Sequence, residues 1–149
     1  MKLVIFDIDG TLCYSKYTDD LCFINAFRKA NIEVENTDWD SYEHATEYSI
    51  TCKLITKELD KRADPELLEL VKENYLNELK NAFSSEPNSF IAVPGALELF
   101  EHLKKDSNYR VAIATGGFYR SAKYKLDILG FHTEDITLFS SEQYGTKPD

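Results

Sequence analysis

Two carboxylates follow the first apolar run of the sequence, within residues 3–12, LVIFDIDGTL. Asp7 and Asp9 are two positions apart, and in an extended chain such side chains point to the same side. We therefore expect both to face one pocket, where their charges repel unless one takes up a proton or a cation lies between them. Hard carboxylate oxygens favour Mg²⁺ as that cation. The alternative is a strand end whose two acids are solvated in a turn.

The elements that must position these acids are predicted to form a parallel sheet. Three short apolar runs, residues 3–6, 111–114 and 136–139, read as strands, and the first is predicted to be buried on both faces. Helical patterns cover residues 95–105 and 118–129, the second ending before Gly130. This alternation predicts βαβ units, with the strand ends at Asp7 and Thr115 along one edge of the sheet.

Between Leu12 and Val93 the sequence shows helical patterns only. The clearest start signal is Asp64-Pro65, an N-cap acid followed by proline in the first helical turn. It opens a long helix with apolar residues at helical spacing. We interpret this stretch as a small helical domain inserted after the first strand.

The composition limits the classes of function. The 149 residues are 43% hydrophobic, so a packed core is expected, and the net charge of -9 gives no electrostatic footprint for nucleic acid. No apolar stretch is long enough to span a membrane. The three cysteines have no ligand spacing and read as reduced thiols of a cytoplasmic protein. An anionic substrate would need a local cation from a metal, lysine or arginine.

The chemistry-bearing residues resemble those of a known family. Residues 7–12, DIDGTL, resemble the DxDGTL signature of the haloacid dehalogenase-like hydrolase superfamily. Thr115 in AIATGG is similar to its second motif, and Lys147 in GTKPD to its third. The resemblance covers the whole chain. It implies an α/β fold in which residues 1–14 and 91–149 form a Rossmann-like parallel sheet core and residues 15–90 an inserted α-helical cap.

The resemblance also implies catalytic roles. Asp7 would attack phosphorus and form an aspartyl-phosphate, and Asp9 would act as the general acid and then the general base. Lys147 would neutralise charge at Asp7 and the phosphoryl group. The Asp7 carboxylate and the Asp9 carbonyl oxygen would hold Mg²⁺. The acid at position 9 favours phosphatase or mutase chemistry over dehalogenation.

Gly10, Thr115 and Gly116 are the residues that this resemblance assigns to phosphate binding. Gly10 also permits a sharp turn with positive φ. Arg120 and Lys123 follow the turn at Thr115, and they either reach a substrate anion or remain solvated.

The predicted function is that of an Mg²⁺-dependent phosphatase acting on a small phosphorylated metabolite, with no nucleic acid or membrane partner. A sugar-phosphate mutase of the same superfamily and a catalytically inactive binding or regulatory module remain alternatives. A phospho-acceptor signalling module is also considered, but the DGT turn and the helical insertion count against it. Neither the substrate nor an oligomeric state is indicated.

The resemblance further implies a fourth motif of one or two acids downstream of Lys147, which would complete the metal site. The 149 residues end two positions after that lysine. We expect them to be a fragment of a longer protein, with a natural short form that holds Mg²⁺ poorly as the alternative. In either case we expect little phosphatase activity from these residues by themselves.

Overall fold

The structure, a computed structural model, describes residues 1–57 and 63–144. The strands in this part of the chain are β1 (Lys2–Phe6), β2 (Cys13–Tyr14), β3 (Ile91–Ala92), β4 (Tyr109–Ala114) and β5 (Thr137–Phe139). The helices are α1 (Lys16–Lys29), α2 (Glu47–Thr56), α3 (Pro65–Ser85), α4 (Ala96–Lys105), α5 (Tyr119–Ile128) and α6 (Ser141–Tyr144), with 3₁₀ turns at Trp39–Ser41 and Pro87–Ser89. None of these helices is both long and apolar enough to cross a membrane.

The predicted parallel sheet is confirmed. Its strand order is β1-β4-β5, with Phe6 opposite Ile113 and Ala114 opposite Phe139. Because the strands are parallel and in this register, the segments that follow β1 and β4 leave the sheet at the same edge. Asp7 and Thr115 begin those segments.

The prediction that β1 is buried on both faces is wrong. Leu3 and Ile5 are 60% and 54% exposed, whereas Phe6 is buried and its ring lies 5.6 Å from that of Phe100. In the described sheet β1 is an edge strand with β4 as its neighbour. An apolar run shows only that both faces of a strand can be buried. Actual burial of both faces also requires a second layer of structure that covers the other side of the sheet.

Two hydrophobic clusters support the fold. The first packs the sheet against α4 and α5, with Phe100 and Leu126 fully buried in it. The second joins α1, α2 and α3 around Phe27, Tyr75 and Leu79. Burial of such side chains is the main source of stabilisation, about 1.5–3 kcal/mol for each large apolar one.

The helical insertion lies between β2 and β3, which pair antiparallel where the chain leaves the sheet region and returns to it. The start signal at Asp64 is confirmed, because its carboxylate accepts a hydrogen bond from the Glu66 amide at 2.9 Å and α3 begins at the next residue. The fold is therefore a Rossmann-like parallel sheet core with an inserted α-helical cap. Its division at residues 14/15 and 90/91 stays a prediction.

Candidate active site

The acid pair lies on a tight turn after β1. Ile8 is fully buried, and its carbonyl accepts hydrogen bonds from the amides of Thr11, Leu12 and Cys13 at 3.1, 2.8 and 3.0 Å. Gly10 has a φ of +80°, which favours glycine. The acids thus reach one cavity as predicted, but through a turn with Ile8 anchored between them rather than through extended backbone.

A second turn follows β4 and faces the first. Thr115 is buried; its amide donates to the Phe139 carbonyl at 2.9 Å, and its hydroxyl oxygen accepts from the Gly117 amide at 3.0 Å. A Cβ on Gly117 would lie 3.4 Å from the Glu47 carboxylate and from the Thr115 hydroxyl. A Cβ on Gly116 would lie 3.5 Å from the Ala45 carbonyl and from the Thr46 methyl group, so the cap and this turn are in van der Waals contact.

The two turns and the cap enclose a cavity of about 660 Å³. Its core side includes all the described residues to which the sequence assigned catalysis or phosphate binding, namely Asp7, Asp9, Gly10, Thr115 and Gly116. Its cap side carries aromatic and apolar groups, among them Phe23, Trp39, Ile50 and Tyr75. Lys147, the remaining predicted catalytic residue, lies outside the described residues.

A buried lysine joins the acid pair to the cap. Lys125, on α5, has a side chain that is 1% exposed, and its Nζ donates to Asp9 Oδ1 at 2.8 Å and to Asp19 Oδ2 at 2.7 Å. Burial opposes its charge, but the carboxylates of Asp19 and Asp9 outweigh that effect and raise the pKa of Lys125 well above its usual value. Lys125 therefore stays protonated beneath the cavity.

Glu47, the first residue of α2, connects the cap to the Thr115 turn. Glu47 Oε2 accepts from the Phe118 amide at 2.7 Å, and its own amide donates to the Gly116 carbonyl at 2.9 Å. The Tyr75 hydroxyl lies 3.0 Å from Glu47 Oε1 and 2.5 Å from Asp19 Oδ1. Burial raises the pKa of Glu47 to about 8, because nearby Lys125 offsets only part of the cost of desolvating the charge.

Sequence reasoning missed this network of Asp19, Glu47, Tyr75 and Lys125. A signal for Lys125 was present, since helical periodicity places it beside the buried Ala122 and Leu126 on the inward face of α5. Arg120 and Lys123, the cations that the sequence drew attention to, lie elsewhere. Arg120 pairs with Glu69 at 2.8 Å and Lys123 with Asp127 at 2.5 Å.

The described residues supply only some of the ligands that the implied Mg²⁺ would need. Their oxygen donors at Asp7 and Asp9 suit Mg²⁺. Asp9 Oδ1 is held by Lys125, which leaves the Asp9 carbonyl as the more suitable donor from that residue. Within residues 1–57 and 63–144 no group of three or more His, Cys, Asp or Glu side chains could hold a metal ion.

Fold and site together define the class: an α/β protein whose acid pair leaves the first strand of a parallel sheet and lies beneath an inserted helical cap. The chain belongs to the haloacid dehalogenase-like hydrolases, because the model of that family matches residues 1–149. This confirms the family suggested by the three sequence motifs. A search of curated proteins finds no match.

Several solved structures share the fold. A hydrolase from Pseudomonas syringae is 25% identical, with a TM-score of 0.69, over 98% of this chain and 64% of that protein. A predicted phosphoglycolate phosphatase from Haemophilus somnus is 18% identical, with a TM-score of 0.61, over 95% of this chain and 63% of that one. A protein assigned as a β-phosphoglucomutase from Thermotoga maritima is 22% identical, with a TM-score of 0.51, over 93% of this chain and 61% of that protein. The chain thus spans less than two thirds of the length of each.

Proposed function

We propose that the protein is a cytoplasmic, Mg²⁺-dependent phosphatase that hydrolyses a small phosphorylated metabolite through an aspartyl-phosphate. The observation that carries the proposal is that one cavity is lined by both acids of the DxDGT turn and by the Thr-Gly turn after β4. The unpaired state of Cys13, Cys22 and Cys52 supports a reducing compartment. The cavity volume is that of a small-molecule site.

The two acids divide the chemistry. An Asp7 oxygen attacks phosphorus, a P–O bond to the enzyme forms, and the bond to the leaving oxygen breaks as Asp9 gives that oxygen a proton. In the second half, Asp9 takes a proton from the attacking water, whose oxygen displaces Asp7 and releases inorganic phosphate. Asp9 is suited to this because its side chain is 46% exposed towards the cavity while one of its oxygens is held by Lys125.

Phosphate binding is assigned to the Thr115 hydroxyl, to the Gly116 amide and to Gly10, whose own amide donates to the Cys13 carbonyl at 2.8 Å and shapes the turn. The Asp7 carboxylate and the Asp9 carbonyl would hold Mg²⁺, which when bound supplies positive charge to the phosphoryl oxygens. Lys147 is proposed to add a second positive charge. We propose residues 1–14 and 91–149 as the core and residues 15–90 as the cap, a division supported by the β2–β3 pairing and the two hydrophobic clusters.

The test is release of inorganic phosphate from a panel of phosphorylated metabolites and a generic aryl phosphate, with and without Mg²⁺. Asp7→Asn is expected to lower turnover by about 10³-fold or more, because it removes the nucleophile. Asp135→Asn changes an exposed acid away from the cavity and serves as the matched control. Unchanged turnover in Asp7→Asn would exclude the assigned nucleophile.

A sugar-phosphate mutase is the second candidate, favoured by the fold shared with the protein assigned as a β-phosphoglucomutase. A mutase would convert a sugar monophosphate into its positional isomer without net release of phosphate, so product analysis separates the two activities. The absence of both activities across the panel would favour a binding or regulatory module. The expected low activity of these 149 residues by themselves stays a prediction, tested by assaying them against the same panel.

A further inference from the structure

The feature that the proposed roles leave unexplained is the burial of Lys125. A lysine that is 1% exposed loses nearly all its contact with water, a large cost unless carboxylates replace it. Asp9 and Asp19 do so at 2.8 and 2.7 Å, although they lie 116 and 106 positions away in the sequence. An apolar side chain would pack at this position with no such cost. The position of Lys125 therefore suggests a role towards the acids that it contacts.

The two partners of Lys125 differ in their surroundings. Asp19, on cap helix α1, is mostly buried, and its other oxygen accepts a hydrogen bond from Tyr75 at 2.5 Å. Asp9 is half exposed and lines the cavity. One side of Lys125 is thus fixed in the interior between core and cap, and the other side holds a carboxylate that remains accessible to a substrate.

We propose that Lys125 is a positioning residue for the general acid and base: it fixes one oxygen of Asp9 so that the other faces the reacting phosphate ester. Asp19 completes the arrangement by holding the Lys125 ammonium from the cap. Asp9 is therefore correctly oriented only when α1 lies against the core. This inference rests on the proposed function, in which Asp9 transfers the proton.

Loss of Lys125 has different expected effects on the kinetics if it only stabilises the fold and if it positions Asp9. If Lys125 orients Asp9, its loss should matter in proportion to how much the leaving oxygen needs a proton. An alkoxide leaving group needs it strongly, whereas dinitrophenolate, the anion of an acidic phenol, needs almost none. A merely structural loss would slow both substrates equally.

The principal variant is Lys125→Met combined with Asp19→Asn, which removes the buried cation and the buried anion together and so avoids an uncompensated charge. With an alkyl phosphate we expect kcat to fall about 10- to 100-fold and KM to change less than about twofold, since acid–base help is worth up to about 10²–10⁴-fold. With 2,4-dinitrophenyl phosphate, the initial burst of dinitrophenolate should slow by less than about threefold. An equal loss on both substrates, or an effect confined to KM, would overturn the proposal.

Two further variants sharpen the result. Lys125→Arg keeps the positive charge and is expected to restore most of kcat with the alkyl phosphate, whereas failure to do so counts against positioning. Lys123→Met removes a lysine of the same helix that pairs with Asp127 outside the cavity, so it should leave both substrates unaffected. A loss as large in Lys123→Met would show a general effect on α5 and overturn the proposal.

The inference can fail separately from the proposed function. If the unaltered protein releases phosphate from no ester, the phosphatase proposal fails. Crystal structures of the unaltered protein and of the Lys125→Met, Asp19→Asn variant then still test the orientation of Asp9. A rotated or disordered Asp9 carboxylate in the variant supports positioning by Lys125, and an unchanged carboxylate refutes it.

Discussion

Replacing Glu47 by glutamine should make the protein more stable at alkaline pH. The reason lies in the hydrogen bonds that the Tyr75 hydroxyl makes with Glu47 and Asp19. The Tyr75 hydroxyl has a single proton and lies 2.5 Å from Asp19 Oδ1 and 3.0 Å from Glu47 Oε1. If Tyr75 donates to Asp19, which also pairs with Lys125, the second contact is a hydrogen bond only when Glu47 carries a proton and donates it. Burial supports this state by raising the pKa of Glu47 to about 8.

The sign of the pH dependence follows from this raised pKa. Between the ordinary value of 4.5 and about 8, the folded protein holds a proton on Glu47 that the unfolded chain has released. The folded state binds more protons there, so the free energy of unfolding falls as pH rises. The contribution is fully present below 4.5 and is lost as pH passes through about 8. At 1.36 kcal/mol per pH unit, reduced because Glu47 retains some exposure, the loss is on the order of 2–4 kcal/mol.

Glu47→Gln imitates the protonated acid. Its amide nitrogen can donate to Tyr75, and its oxygen can accept from the Phe118 amide. We expect the variant and the unaltered protein to have similar stability near pH 5, and the variant to be more stable by roughly 2 kcal/mol or more at pH 8.5. Asp19, Asp9, Lys125 and Tyr75 surround position 47 in both proteins, so the two proteins differ only in the group at that position.

The assay is urea unfolding followed by Trp39 fluorescence at several pH values from 5 to 8.5. Glu98→Gln alters an exposed glutamate on α4 and controls for the change in net charge. A difference between Glu47→Gln and the unaltered protein that does not vary with pH would refute the protonated state. Lower stability of the variant at pH 8.5 would refute it as well.

Two further predictions concern stability and use the same unfolding measurement. Gly10→Ala is expected to cost about 1–2 kcal/mol from its left-handed backbone alone, because no atom lies within 4 Å of the added Cβ; a larger loss would point to a steric clash instead. Phe100→Ala is expected to cost about 3–5 kcal/mol, because it empties a fully buried site between the rings of Phe6 and Phe131; a loss below about 1 kcal/mol would show that the core collapses around it.

The elements of the fold could be predicted because each is specified by neighbours in sequence. Apolar runs located β1, β4 and β5, and the Asp64-Pro65 pair located the start of α3 to the residue. The exposure of Leu3 and Ile5 could not be predicted in this way. An apolar run specifies which side chains can be buried, whereas the presence of a covering layer depends on elements distant in sequence.

The site could be predicted only where a turn carries its chemistry within a few residues. Asp7, Asp9 and Gly10 are adjacent, and Thr115 follows a recognisable strand, so the sheet topology brings these turns together. The network around Lys125 joins positions 9, 19, 47, 75 and 125, which come from both core and cap. No spacing along the chain encodes such contacts, although the inward position of Lys125 on α5 was a usable signal.

This network changes how an acidic cavity can accept a phosphate. Asp7, Asp9, Asp19 and Glu47 would carry four negative charges if all were ionised. Protonation of Glu47 removes one and Lys125 compensates another, so at most two remain for Asp7, Asp9 and Asp19 together. A divalent cation at Asp7 would compensate both. The proposed function therefore predicts that phosphate binds much more weakly without Mg²⁺, and that this dependence steepens above pH 8 as Glu47 ionises.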